Sequence, residues 1–221
     1  MDQPPTPLHA VSTGPLETVE GRSLLLLLHG LGADERDLLP LGGQLGLDDA
    51  VVSLRAPLPW GPGWAWAAVG DDPTRRTASM RPAARAVLAW LDALPSGGLG
   101  GPARVRLLGF SQGGALALTL LRLAPERFDA AVVLAGFVPD EQEDDARLAE
   151  VRPSVFWGRG DADPVIPPDA IVRTAAWLPA HARAEVRVYS GLTHGISGDE
   201  LADVRAFLAD DTPEHAPLPP A

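Results

Sequence analysis

The stretch Gly109-Phe110-Ser111-Gln112-Gly113 constrains this chain more than any other. Before it runs Ala103–Leu108, an apolar-rich segment of strand character. After it runs Gly114–Leu123, a Gly-Ala-Leu segment of helical character. Strand, tight turn with serine at the apex, then helix is the arrangement of a nucleophile elbow. The glycines have a physical reason, because a sharp strand-to-helix turn strains the backbone and brings neighbouring chain where a Cβ would obstruct it. The Ser111 hydroxyl then projects above a sheet, and the Gln112 N–H points at the same spot. In a chain with 23 glycines the string alone is weak. Its weight comes from the strand and helix on the correct sides.

The rest of the chain supplies the sheet that an elbow needs. Ser23–Leu28 is a continuous apolar run, as expected of a strand buried on both faces. Asp34–Gly46 reads as a short helix with Asp34 as N-cap, and Ala50–Leu54 as the next strand. A long loop, Arg55–Pro73, carries Trp60, Trp64 and Trp66 among prolines and glycines. Thr77–Leu94 reads as an amphipathic helix, Phe128–Phe137 as a strand, and Asp140–Glu150 as an acidic helix. Ser154–Gly158 and Val186–Tyr189 read as strands, Pro167–Leu178 and Gly198–Leu208 as helices. Such alternation implies an α/β fold, a mostly parallel central sheet with helices on both faces. Ligand chemistry then belongs at the carboxyl ends of the strands. A single domain is expected over 8–211, between proline-rich flexible tails at 1–7 and 212–221.

Composition removes whole classes of chemistry. All 18 basic residues are arginine, and lysine, cysteine and asparagine are absent. There is no Schiff-base or P-loop lysine, no cysteine nucleophile, no cysteine–zinc site and no N-glycosylation sequon. The net charge of −11 repels nucleic acid and anionic lipid. Leu24–Leu28 is far too short to span a bilayer. The N-terminus shows neither the basic nor the apolar region of a signal peptide, so a cytoplasmic protein without stable membrane anchoring is expected.

A serine hydroxyl needs a base to remove its proton. Of five histidines, His194 lies in Gly191-Leu192-Thr193-His194-Gly195, a carboxyl-end loop between the last strand and the last helix. It is the expected base. His29, next to the glycine-punctuated loop Gly30-Leu31-Gly32, is expected to brace that loop. In chain order the orienting acid falls between serine and histidine. Both Asp161 and Asp163 qualify, in Gly160-Asp161-Ala162-Asp163-Pro164. Asp163 is preferred, because the following proline restricts it to extended geometry; Asp161 is expected to be a turn residue. An oxyanion needs two N–H donors, and those of Gln112 and Leu31 are the candidates.

Leu28-His29-Gly30-Leu31-Gly32-Ala33-Asp34, Gly109–Gly114, Asp163-Pro164-Val165-Ile166-Pro167 and Thr193-His194-Gly195-Ile196 together resemble the signatures of the phospholipase/carboxylesterase family of α/β-hydrolases. The resemblance implies the α/β-hydrolase fold and a Ser111–Asp163–His194 triad. It also implies an oxyanion hole at Leu31 and Gln112, no metal or organic cofactor, and frequent homodimers. The implied activity is that of a serine carboxylesterase hydrolysing short- to medium-chain, small-molecule acyl esters through an acyl-enzyme intermediate. Acyl-protein thioesterase or lysophospholipase activity with the same triad is the alternative. A non-catalytic binding protein of the same fold is a remote third, since it predicts a broken triad.

The loop over 60–66 is richer in tryptophan than the family's substrate loop. About sixteen residues separate the strands ending at Phe137 and starting at Ser154, so no large cap is expected. Trp60, Trp64 and Trp66 are then candidates for an apolar acyl-binding wall, or for aromatics that anchor the loop.

Overall fold

A computed structural model describes residues 8–15, 19, 21–69, 79–94, 102–141 and 145–210. The expected tails at 1–7 and 212–221 lie outside the described residues. Seven strands form one sheet: β1 (Ala10–Ser12), β2 (Ser23–Leu28), β3 (Ala50–Leu54), β6 (Arg104–Phe110), β7 (Ala130–Leu134), β8 (Ser154–Gly160) and β9 (Arg183–Tyr189). Their order is β1-β3-β2-β6-β7-β8-β9, and all neighbours are parallel except β1 against β3. A separate hairpin pairs β4 (Leu58–Trp60) with β5 (Gly63–Ala65).

The leucine run explains the centre of the sheet. Leu24 to Leu28 in β2 are all fully buried, because β2 lies between β3 and β6 and is covered on both faces. Full burial of each such side chain is worth roughly 1.5–3 kcal/mol. Leu24, Leu26 and Leu28 face one layer, which holds α2 (Arg81–Asp92), α3 (Gln112–Leu123), α4 (Ala146–Val151) and α5 (Pro168–His181). Leu25 and Leu27 face the other, with α1 (Leu39–Gln44) and α6 (Gly198–Asp210). The chain winds outward from β2 to β3, then outward the other way from β6 to β9. The topological switch therefore lies between β2 and β6, where Leu28 pairs with Gly109. A crevice at that point is where an open α/β sheet binds ligands.

Several boundaries differ from the sequence expectation. Asp34–Gly46 is helical only over Leu39–Gln44. The Asp34 carboxylate accepts the Arg36 N–H at 2.8 Å, a local turn that competes with helix. Glu35 meanwhile turns inward to Arg55. β7 stops at Leu134 because Ala135 adopts φ +46. The acidic helix is confined to Ala146–Val151 among the described residues. α2 starts at Arg81, and Thr77 and Ala78 lie outside the described residues. The strands β1, β4 and β5 were not expected, and β9 begins three residues earlier than its apolar end suggests.

Candidate active site

The elbow is as tight as its glycines imply. Ser111 sits at φ 54, ψ −113, a strained backbone for a residue with a side chain, and its N–H donates to the Leu134 carbonyl at 2.8 Å. A Cβ on Gly109 would lie 2.2 Å from the Gly113 carbonyl oxygen, and one on Gly113 only 1.9 Å from the Leu28 oxygen. Helix α3 thus enters directly against the ends of β2 and β6.

His194 Nε2 lies 3.0 Å from Ser111 Oγ, and His194 Nδ1 lies 2.8 Å from Asp163 Oδ2. With Asp163 ionised, Nδ1–H donates to the carboxylate and leaves Nε2 to accept the serine proton. The other Asp163 oxygen accepts the N–H groups of Val165 at 2.7 Å and Ile166 at 3.3 Å. One carboxylate therefore fixes its own turn and the histidine ring together. Asp161 instead accepts the Gly191 N–H at 2.6 Å. The Phe110 ring packs beside His194, with centroids 5.0 Å apart.

Leu31 and Gln112 follow the ends of β2 and β6 respectively. Neither backbone N–H donates to a carbonyl among the described residues. His29 braces the Leu31 loop. Its Nδ1–H donates to the Gly30 carbonyl at 2.7 Å, and Nε2 accepts the Ala56 N–H at 3.1 Å. Burial holds its pKa below the usual histidine value, which keeps the ring neutral for both bonds.

The tryptophan loop is tied to both sides of this site. The Gly32 N–H donates to the Trp64 carbonyl at 2.8 Å, and the Trp64 N–H to the Ala33 carbonyl at 2.9 Å. Trp66 donates its N–H to Gln112 Oε1 at 2.7 Å and its indole N–H to the His29 carbonyl at 2.8 Å. Gln112 Nε2 donates to the Ala67 carbonyl at 3.0 Å. The Gln112 side chain, unremarked in the sequence, therefore links elbow and loop.

Trp66 is 2 % exposed, so it is a buried anchor and not part of an acyl wall. Trp64 is half-buried against the core under the Arg55 guanidinium, 4.9 Å from its ring centroid. Arg55 in turn holds the carboxyl of buried Glu35 down to about 2. Trp60 alone of the three stands open, 40 % exposed, close above Gly32, with Leu31 and Leu58 also exposed nearby in the chain.

Glu200, in the first turn of α6, gave no signal in the sequence. It is fully buried with no partner for either carboxylate oxygen among the described residues, and it fills the space a Gly158 side chain would take. Burial pushes its pKa up to about 7. No cluster of three His, Asp or Glu side chains suited to a metal occurs among the described residues.

The phospholipase/carboxylesterase family matches residues 60–211, well over half of the chain. The chain belongs to the phospholipase/carboxylesterase family. Acyl-protein thioesterase 1 of Saccharomyces cerevisiae is 31% identical over 112 residues, covering 48% of this chain and 49% of that protein. Carboxylesterase SOBER1 of Arabidopsis thaliana is 30% identical over 110 residues, covering 48% of each. The chain thus spans about half the length of these curated relatives. The crystal structure of esterase PE8 superimposes with a TM-score of 0.75 at 28% identity, covering 93% of this chain and 99% of that one. The architecture of this family member is the α/β-hydrolase fold. Between β7 and β8 the only helix among the described residues is the short α4. No helix of the described residues is long and apolar enough to cross a membrane.

Proposed function

We propose that the protein is a serine carboxylesterase acting on small acyl esters through an acyl-enzyme. The Asp163–His194–Ser111 relay, with contacts of 2.8 and 3.0 Å, is the observation that carries this reading. Ser111 Oγ attacks the acyl carbon while His194 Nε2 takes its proton. Asp163 holds the ring in the productive tautomer and stabilises the imidazolium. The Leu31 and Gln112 N–H groups stabilise the oxyanion, a contribution of about 100- to 1000-fold in rate per donor. His194 then protonates the leaving alcohol, and water releases the acid by the same steps. No step calls on a metal or an organic cofactor. The site lies at the switch point, which supports the assignment independently of the relay.

Cleavage of acyl thioesters by the same residues is the second reading, favoured by the relatives named acyl-protein thioesterase. The test is labelling with a fluorophosphonate followed by mapping of the adduct. It is paired with rates on p-nitrophenyl esters of graded chain length and on matched acyl thioesters. An adduct on Ser111 and preferred turnover of the esters are expected. An unlabelled protein, or a Ser111→Ala variant with wild-type hydrolysis, overturns the proposal.

A further inference from the structure

The Gln112 side chain is buried, and both of its polar atoms bond the backbone just beyond the hairpin. The partners leave no choice of orientation. The Trp66 N–H can only donate, so it meets Oε1 at 2.7 Å, and the Ala67 carbonyl can only accept, so it meets Nε2 at 3.0 Å. An amide is costly to bury unless both ends are bonded. An apolar side chain of the same length would fill the space without that requirement. What the amide adds is a fixed register between the first residue of α3 and the backbone at 66 and 67.

The same backbone segment holds the loop of the other oxyanion donor. The Gly32 N–H donates to the Trp64 carbonyl, and the Trp66 indole N–H donates to the His29 carbonyl. These two bonds flank Leu31. Between them the His29 Nδ1–H donates to the Gly30 carbonyl at 2.7 Å. The C=O and N–H of one trans peptide point in opposite directions, so a Gly30 carbonyl held toward the His29 ring turns the Leu31 N–H away from it. On the elbow, the Ser111 carbonyl accepts the Ala115 N–H at 3.1 Å, which fixes the direction of the Gln112 N–H in the same way. Each donor peptide is thus held by its own carbonyl. The segment from Trp64 to Ala67 bonds both loops that carry them.

We propose that the Gln112 side chain is a positioning residue for the oxyanion hole: by locking the backbone at Trp66 and Ala67 to the elbow, it sets the distance between the Leu31 and Gln112 N–H groups. The inference rests on the proposed acyl-enzyme chemistry, in which those two groups share the oxyanion. The polar atoms of the side chain are engaged by Trp66 and Ala67, so it acts through the two backbone donors. Such donors work only within about 2.7–3.1 Å of the oxyanion. A displacement of about 1 Å costs on the order of 100-fold in rate.

The test compares p-nitrophenyl acetate with its thiono analogue, in which sulfur replaces the carbonyl oxygen. Sulfur is larger and a weaker acceptor, so the thiono ester draws little from the oxyanion donors. The wild type is expected to prefer the oxygen ester. Gln112→Met keeps the length of the side chain and removes both bonds. It is expected to lower kcat/KM on the order of 100-fold for the oxygen ester and less than about tenfold for the thiono ester. Gln112→Glu keeps the acceptor for the Trp66 N–H and loses the donor to Ala67. Its preference is expected to fall between those of the wild type and Gln112→Met. The ratio of the two rates does not depend on how much of a preparation is folded. A merely structural role therefore lowers both rates together and leaves the ratio unchanged. Either variant with the wild-type ratio overturns the proposal, and so does an active wild type with no preference for the oxygen ester. Failure of the esterase reading is seen separately, in a wild type that hydrolyses neither ester, and it overturns both.

Discussion

Two segments meet at Gln112, and they are specified in different ways. The elbow is local: residues 109–113, the strand before and the helix after suffice to define it. The tryptophan hairpin is not. Trp60, Trp64 and Trp66 sit within seven residues of sequence, yet one is exposed, one half-buried and one buried. Their fates are decided by partners far along the chain, Gly32, Arg55, Gln112 and His29. Chemistry is expected to depend on the first segment, and stability and substrate preference on the second.

The largest effect that could break this division is at the elbow. Ser111→Ala is expected to lower kcat on the order of 10⁶-fold, by analogy with the loss of a triad serine in subtilisin, with an unchanged melting temperature. Substantial residual turnover in a clean preparation would place the chemistry elsewhere. Next comes the acid. Asp163→Asn is expected to cost about 10⁴-fold in kcat, because the amide favours the wrong histidine tautomer. Asp161→Asn loses only a turn contact and is expected to have a small effect. A reversal of these two, measured side by side, would give Asp161 the orienting role.

At the hairpin the effect moves from rate to stability. Trp66→Ala removes a buried indole and leaves the His29 carbonyl without its donor. A loss of about 3–5 kcal/mol is expected in urea denaturation. A near-neutral change would show that the hairpin is not an anchor.

The His194 segment lies between these cases, and Glu200 probes it. A carboxyl with an ordinary pKa near 4.5 when unfolded and about 7 when folded binds more protons in the native state between those values. Stability is then fully present below pH 4.5 and falls as pH rises toward 7. Glu200→Gln is expected to remove about 3 kcal/mol of that decline, read as the difference between variant and wild type at pH 4 and pH 8. Parallel profiles for the two proteins would show that Glu200 does not titrate in this range.

Trp60→Ala is expected to have the smallest effect. Stability should hold, while kcat/KM falls up to about tenfold for octanoyl esters and hardly for acetyl esters. An unchanged chain-length profile would make Trp60 a spectator and leave the hairpin a purely structural element.

The amino-acid sequence by itself determined the elements whose cause is local. The apolar run of β2, the glycines around Ser111 and the order of Ser111, Asp163 and His194 are all legible in one dimension, because strand burial, turn sterics and loop placement follow from neighbouring residues. Only the tertiary structure decided the rest. Asp163 differs from Asp161 because Oδ2 of Asp163 reaches His194 while Asp161 bonds Gly191. The Gln112 side chain acquires its role from Trp66 and Ala67, 46 and 45 residues away in sequence. Trp66 and Glu200 are buried by elements that no periodicity around them announces. Side-chain environment depends on which distant elements pack together, and local pattern carries no information about that.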